Sequence, residues 1–160
     1  VYNVPGRTGV SCTPEHYARL AEIPRINGVK EASGDISLVS RTRHLCGDAL
    51  NIWSGNDDQT LPMLALGAKG VISVASNIVP QVMATLCAAA LSGDFFTARA
   101  IHEAYAGLFD ALFYEVNPIP VKTAMQMLGW DSGRLRLPLC PMAEGNAAKL
   151  QNCLESLQLL

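Results

Sequence analysis

Four short β-prone runs limit the folds open to this chain: VYNV at 1–4, NGVKEAS at 27–33, LNIWSG at 50–55 and KGVISVAS at 69–76. They recur at spacings of about twenty to thirty residues, the length of a βα unit. Helical patterns with recognisable start signals lie between them. Thr13 offers a hydroxyl N-cap ahead of Pro14 at the first helical position. Gly34-Asp35 opens ISLVSRTRHL, and Asp57-Asp58 precedes QTLPMLALG, which Gly67 closes. Strands alternating with helices imply an α/β protein with a parallel sheet covered by helices.

From Ile78 onward the pattern becomes helix after helix. Pro80 starts QVMATLCAAALSG, Gly93-Asp94 starts FFTARAIHEAYAGLFDALFY, and Asn117-Pro118 opens a segment ending near Leu128. The loop SGRLRLPLCP then leads into a last helix over Met142–Leu157. The expected organisation is four βα units over 1–92 and a helical region over 93–160. Four strands suit either a small open sheet or half of a (β/α)8 barrel, which needs about 250 residues in full. The chain starts on the first residues of a strand, whose edge would lie uncovered. That favours the half barrel, with the preceding half absent from this sequence.

Composition excludes several function classes. Hydrophobic residues make up 49% and charged residues 16%, enough for one well-buried core. The net charge is −2 with lysines and arginines scattered singly, so there is no electrostatic footprint for nucleic acid. No apolar run approaches the length of a membrane span. Five cysteines, an odd number without CxxC spacing, suggest a reduced, cytoplasmic protein in which they act as small apolar fillers. Neither a P-loop nor a dinucleotide fingerprint is present. His102-Glu103 resembles the start of a zinc motif, but Ala106 stands where the second histidine belongs. His16, His44 and His102 read as helix surface or packing residues, and no metal is expected.

The residues with chemical potential sit in or just after the β-prone runs. Lys30 shares a strand face with Gly28 and Ala32, while Val29 and Glu31 point the other way. Two readings stand side by side. Periodicity alone favours a solvated lysine beside a glutamate. Small neighbours would instead leave room for a pocket, in which a partly desolvated amine can attack a carbonyl. Tyr2 is either an aromatic strand filler or a proton shuttle facing the same pocket. Arg7, after a Pro-Gly turn, is either a surface arginine or a carboxylate grip. Gly55 lies in a turn that could bring backbone beside a substrate, and Ile72 reads as a core residue in mid-strand. In a parallel barrel these positions would converge on one mouth, where the strand C-termini open.

YNVPGRTG at 2–9 and GVKEASGD at 28–35 resemble the dihydrodipicolinate synthase family. The likeness runs on through SGNDD at 54–58, GAKGVISVASN at 67–77, NPIPVK at 117–122 and RLPLCPM at 136–142. It implies a (β/α)8 TIM barrel of the class I aldolase type, of which only strands 5–8 are present here, followed by a C-terminal helical extension. It further implies that Lys30 forms a Schiff base with pyruvate and that Tyr2 relays protons. Arg7 would receive the carboxylate of L-aspartate-4-semialdehyde, and the backbone at Gly55 and Ile72 would line the pyruvate site. The product would be the first committed intermediate of diaminopimelate and lysine biosynthesis, made without an added cofactor. Intact members are commonly homotetramers.

The resemblance covers the second half of such an enzyme, so a fragment with little or no activity alone is the expectation. Residues that the family carries in its first half have no counterpart in this sequence. N-acetylneuraminate lyase and keto-deoxy-sugar-acid aldolases share the lysine and tyrosine. The Gly6-Arg7-Thr8-Gly9 run favours a small carboxylate-bearing aldehyde over their substrates. A non-catalytic half-barrel module is the remaining alternative.

Overall fold

The computed structural model describes residues 1–160. Three parallel strands, β1 (Tyr2–Asn3), β2 (Gly28–Glu31) and β3 (Asn51–Ser54), form a sheet in sequence order. Tyr2 pairs in register with Lys30, and Lys30 with Trp53. Helix α1 (Pro5–Thr8) follows β1, α2 (Pro14–Ala21) and α3 (Ile36–Cys46) flank β2, and α4 (Thr60–Ala65) follows β3. The chain then continues through α5 (Pro80–Leu91), α6 (Phe95–Ala111), α7 (Ile119–Met127) and α8 (Glu144–Ser156).

The helix starts follow from local chemistry. The Thr13 hydroxyl accepts the His16 N–H and His16 Nδ1 accepts the Thr13 N–H, a reciprocal capping box with Pro14 behind it. Asp35 and Asp94 accept the N–H groups of Leu38 and Thr97 at the starts of α3 and α6. One expected strand is reduced. Of KGVISVAS, only Val71 bridges to Ser54, and the chain then turns into a 3₁₀ segment over Ala75–Asn77. The run fails to extend because the N–H groups of Val74 and Ala75 bond the Asp57 carboxylate.

Three buried clusters hold these elements together, the smallest being Leu64, Leu86, Ala90 and Ala98 between α4, α5 and α6. Val29 and Ile52 point from the sheet into a cluster with Tyr17, Val39, Leu50, Met63 and Ala68, which glues α2, α3 and α4 to one face. A second cluster of 14 buried residues joins the 75–83 segment to α6, α7 and α8 through Leu108, Leu112, Val121, Leu150 and Leu154. Burying each such leucine contributes about 1.5–3 kcal/mol. Four cysteines are half-buried against the cores, whereas Cys140 is exposed, which corrects the reading of all five as fillers. No helix is long and apolar enough to cross a membrane.

Candidate active site

Side chains alternate across the strands, so the sheet has a helix-packed face and an opposite face. Tyr2, Lys30 and Trp53 form one row on the opposite face, at matching register positions. The Lys30 ammonium lies 4.3 Å from the centroid of the Tyr2 ring, a cation–π contact. The space beside Lys30 is more filled than Gly28 suggests. A Cβ added to Gly28 would collide with the Trp53 indole, and one added to Gly70 would meet the same ring at 3.5 Å. Trp53 therefore fills the layer beneath the lysine, while the room lies toward the strand ends.

Gly55 supplies part of that room. A Cβ there would stand 2.6 Å from Ala32 Cβ and 3.2 Å from Lys30 Cε. Its N–H donates to the Glu31 carbonyl at 2.7 Å, holding the turn after β3 against the end of β2. Beyond it opens a cleft of about 370 Å³ whose walls include Lys30, Ile72, Ser73, Asn77, Asn117 and Lys122. Ile72 is 48% exposed and lines this cleft, so it is not the core residue its mid-strand position suggests. Arg7 lies on α1, and its Nη2 donates to the Asn117 carbonyl at 3.2 Å. One hydrogen bond thus ties the strand-tip arginine to the segment bordering the lysine's cleft.

The helix-packed face carries a network that the sequence reading missed. Glu31, adjacent to Lys30 but pointing away from it, is 3% exposed. Its carboxylate accepts from Asn3 Nδ2 at 3.0 and 3.1 Å, from the Tyr17 hydroxyl at 2.5 Å and from the Ser33 N–H at 2.7 Å. A carboxylate buried without a cation is costly unless hydrogen bonds replace its water. Here they do, and because Asn3 follows Tyr2, the network also fixes β1 against β2. Burial, and then the carboxylate it donates to, push the Tyr17 phenol far above its ordinary 10.0, so it remains a neutral donor. Also missed was Lys122, which bonds Asp131 at 3.0 Å across the end of α7. That contact and the Gly133 N–H hold the Asp131 carboxyl below its ordinary 3.8. Nothing local marks the side-chain pairs among them, whose members lie 9 to 28 residues apart.

A parallel α/β sheet with helices against one face and a lysine-bearing cleft at its strand ends is the plan of proteins that work at the C-terminal ends of barrel strands. The sequence profile of the Dihydrodipicolinate synthetase family matches residues 1–157. The chain is 50% identical over 160 residues to a 4-hydroxy-tetrahydrodipicolinate synthase of Geobacter sulfurreducens, covering 100% of this chain and 55% of that protein. It is 52% identical over 155 residues to the protein of that name from Methanospirillum hungatei, covering 96% of this chain and 53% of the relative. A solved structure described as the chloride-inhibited dihydrodipicolinate synthase of Acinetobacter baumannii complexed with pyruvate superposes with a TM-score of 0.97 at 40% identity. That alignment covers 99% of this chain and 55% of the other. The chain belongs to the dihydrodipicolinate synthetase family, and it spans about half the length of the relatives it matches.

Proposed function

We propose that this chain carries the Schiff-base half of a 4-hydroxy-tetrahydrodipicolinate synthase, a lyase that condenses pyruvate with L-aspartate-4-semialdehyde. The observation that carries the reading is the placement of the Lys30 amine over the Tyr2 ring, at the border of the cleft that also holds Ile72. Support comes from the relatives named as this synthase and from the pyruvate complex in the A. baumannii structure's description. In this account residues 1–92 supply strands five to eight of a (β/α)8 barrel, and 93–160 form its helical extension. The assembled enzyme is a cytoplasmic homotetramer.

The chemistry runs through the imine. After the Lys30 ammonium gives up a proton to solvent, its amine attacks the C2 carbonyl of pyruvate, and loss of water leaves an imine between Nζ and C2. The Tyr2 hydroxyl passes the protons needed to expel that water. Loss of a C3 proton gives the enamine, whose C3 attacks the aldehyde carbon of the semialdehyde. The semialdehyde's amine then closes onto C2 and releases Lys30. Arg7, tethered to Asn117, meets the semialdehyde's carboxylate, while the backbone at Gly55 and Ile72 borders the pyruvate.

The condensation assay tests the whole reading. Purified chain alone turns over slowly or not at all, and mixing it with the N-terminal half of a full-length relative restores turnover that Lys30→Ala abolishes. A mixture that assembles stably yet shows no condensation would overturn the assignment.

A further inference from the structure

Asp57 is 2% exposed, in the 3₁₀ turn that follows β3. Its Oδ2 accepts the N–H of Val74 at 3.0 Å and of Ala75 at 2.9 Å, while Oδ1 is buried without a hydrogen-bond partner. An unneutralised carboxylate in such a place is expensive, and nothing in the turn itself requires one. The two N–H groups it takes lie where the fourth β-prone run leaves the sheet. The last ladder bond there is the Ile72 N–H to the Ser54 carbonyl at 2.8 Å. Ile72, Ser73 and Val74 are therefore pinned at both ends, and all three line the cleft shared with Lys30.

The other end of the tie is equally fixed. The Ser54 hydroxyl donates to the Asn56 carbonyl at 2.7 Å and accepts the Asn56 N–H at 3.2 Å, and the Gly55 N–H is held by Glu31. One carboxylate oxygen thus joins the Gly55 turn to the Ile72 wall, 17 and 18 residues further along.

We propose that Asp57 is a positioning residue that holds the Ile72–Val74 wall of the cleft at the distance from Lys30 that pyruvate addition requires. It acts through the backbone and does not touch the substrate. The role rests on the reading of Lys30 as the Schiff-base lysine. An asparagine in its place keeps an oxygen for the two N–H groups but gives up the charge and buries an unpaired amide. Alanine removes the tie.

The test pairs two readouts on the full chain carrying Asp57→Ala or Asp57→Asn. Backbone hydrogen exchange followed by mass spectrometry reports residues 72–77 separately from the strands at 28–31 and 51–54. Borohydride trapping with pyruvate reports the rate of adduct formation on Lys30. Two charge-assisted hydrogen bonds lost in Asp57→Ala predict at least about tenfold faster exchange over 72–77, unchanged strands, and trapping slowed by a comparable factor. Asp57→Asn falls between this variant and the parent. Unchanged exchange over 72–77, or a rise shared equally by the whole chain, would overturn the proposal. So would loosened exchange with unaltered trapping. If pyruvate is trapped neither by the unsubstituted chain nor by that chain mixed with the N-terminal half of a full-length relative, the Lys30 reading falls and takes the cleft role with it, while the exchange data still judge the tie.

Discussion

Replacing Gly55 with alanine places a methyl group where the structure has no room for one. The new Cβ would meet Ala32 Cβ at 2.6 Å, the Glu31 carbonyl oxygen at 3.1 Å and Lys30 Cε at 3.2 Å. The first two belong to, or sit directly on, the β2 backbone and cannot rotate away. Ordinary carbon contacts of about 3.5–4.0 Å therefore require the end of β3 to move off β2 by roughly an ångström. That movement stretches the 2.7 Å bond from Gly55 to Glu31 and pushes the lysine stem toward the cleft. Overpacking of this kind costs about 1–3 kcal/mol. For a chain of this size that is a melting temperature lowered by roughly 2–12 °C. Thermal unfolding followed by circular dichroism gives the first number, and borohydride trapping at a temperature where both proteins are folded gives the second. Trapping in Gly55→Ala should be slower than in the parent. A variant that melts within about 1 °C of the parent and traps pyruvate at the parental rate would refute the packing argument, because the strain would then not exist.

Tyr17→Phe removes the shortest bond to the buried Glu31 carboxylate and should destabilise the fold by about 1.5–3 kcal/mol in urea unfolding at neutral pH. Because the Asp131 carboxyl is held below its ordinary 3.8, the stability it adds is present above that value and lost as pH falls through its lower folded value. Asp131→Asn should therefore flatten the acid limb of a melting-temperature profile below about pH 4 and leave its neutral-to-alkaline shape unchanged. Thiol labelling at neutral pH, mapped by mass spectrometry, should modify exposed Cys140 first. Cys46, Cys87 and Cys153, whose thiols burial pushes up, should follow slowly.

Features encoded within a few residues were legible in the sequence. The starts of α2, α3 and α6 could be read because Thr13, Asp35 and Asp94 cap N–H groups three residues on. Three of the four β-prone runs became strands, and Lys30 lies on the strand face opposite Val29, as period two requires. What could not be read depends on contacts across the fold. The fourth run loses its strand to a carboxylate 17 residues upstream, and Ile72, one residue past the Val71 bridge, falls on the sheet face of Lys30, where it is half exposed. The four-residue α1 is too short to show a helical period. Glu31 looks like a solvent-facing neighbour of Lys30 until Asn3 and Tyr17 close over it from 28 and 14 residues away. The same holds for Trp53, whose indole fills the gap that Gly28 leaves.

Two lysines line the cleft, which makes peptide-mapped borohydride trapping with pyruvate the most direct test of the central claim. Lys122 is engaged with Asp131 at 3.0 Å, whereas the Lys30 ammonium is held only over the Tyr2 ring. The account predicts a reduced pyruvyl adduct on Lys30, absent in Lys30→Ala and undiminished in Lys122→Met. An adduct on Lys122, or none on either lysine when the chain is mixed with the N-terminal half of a full-length relative, would contradict it.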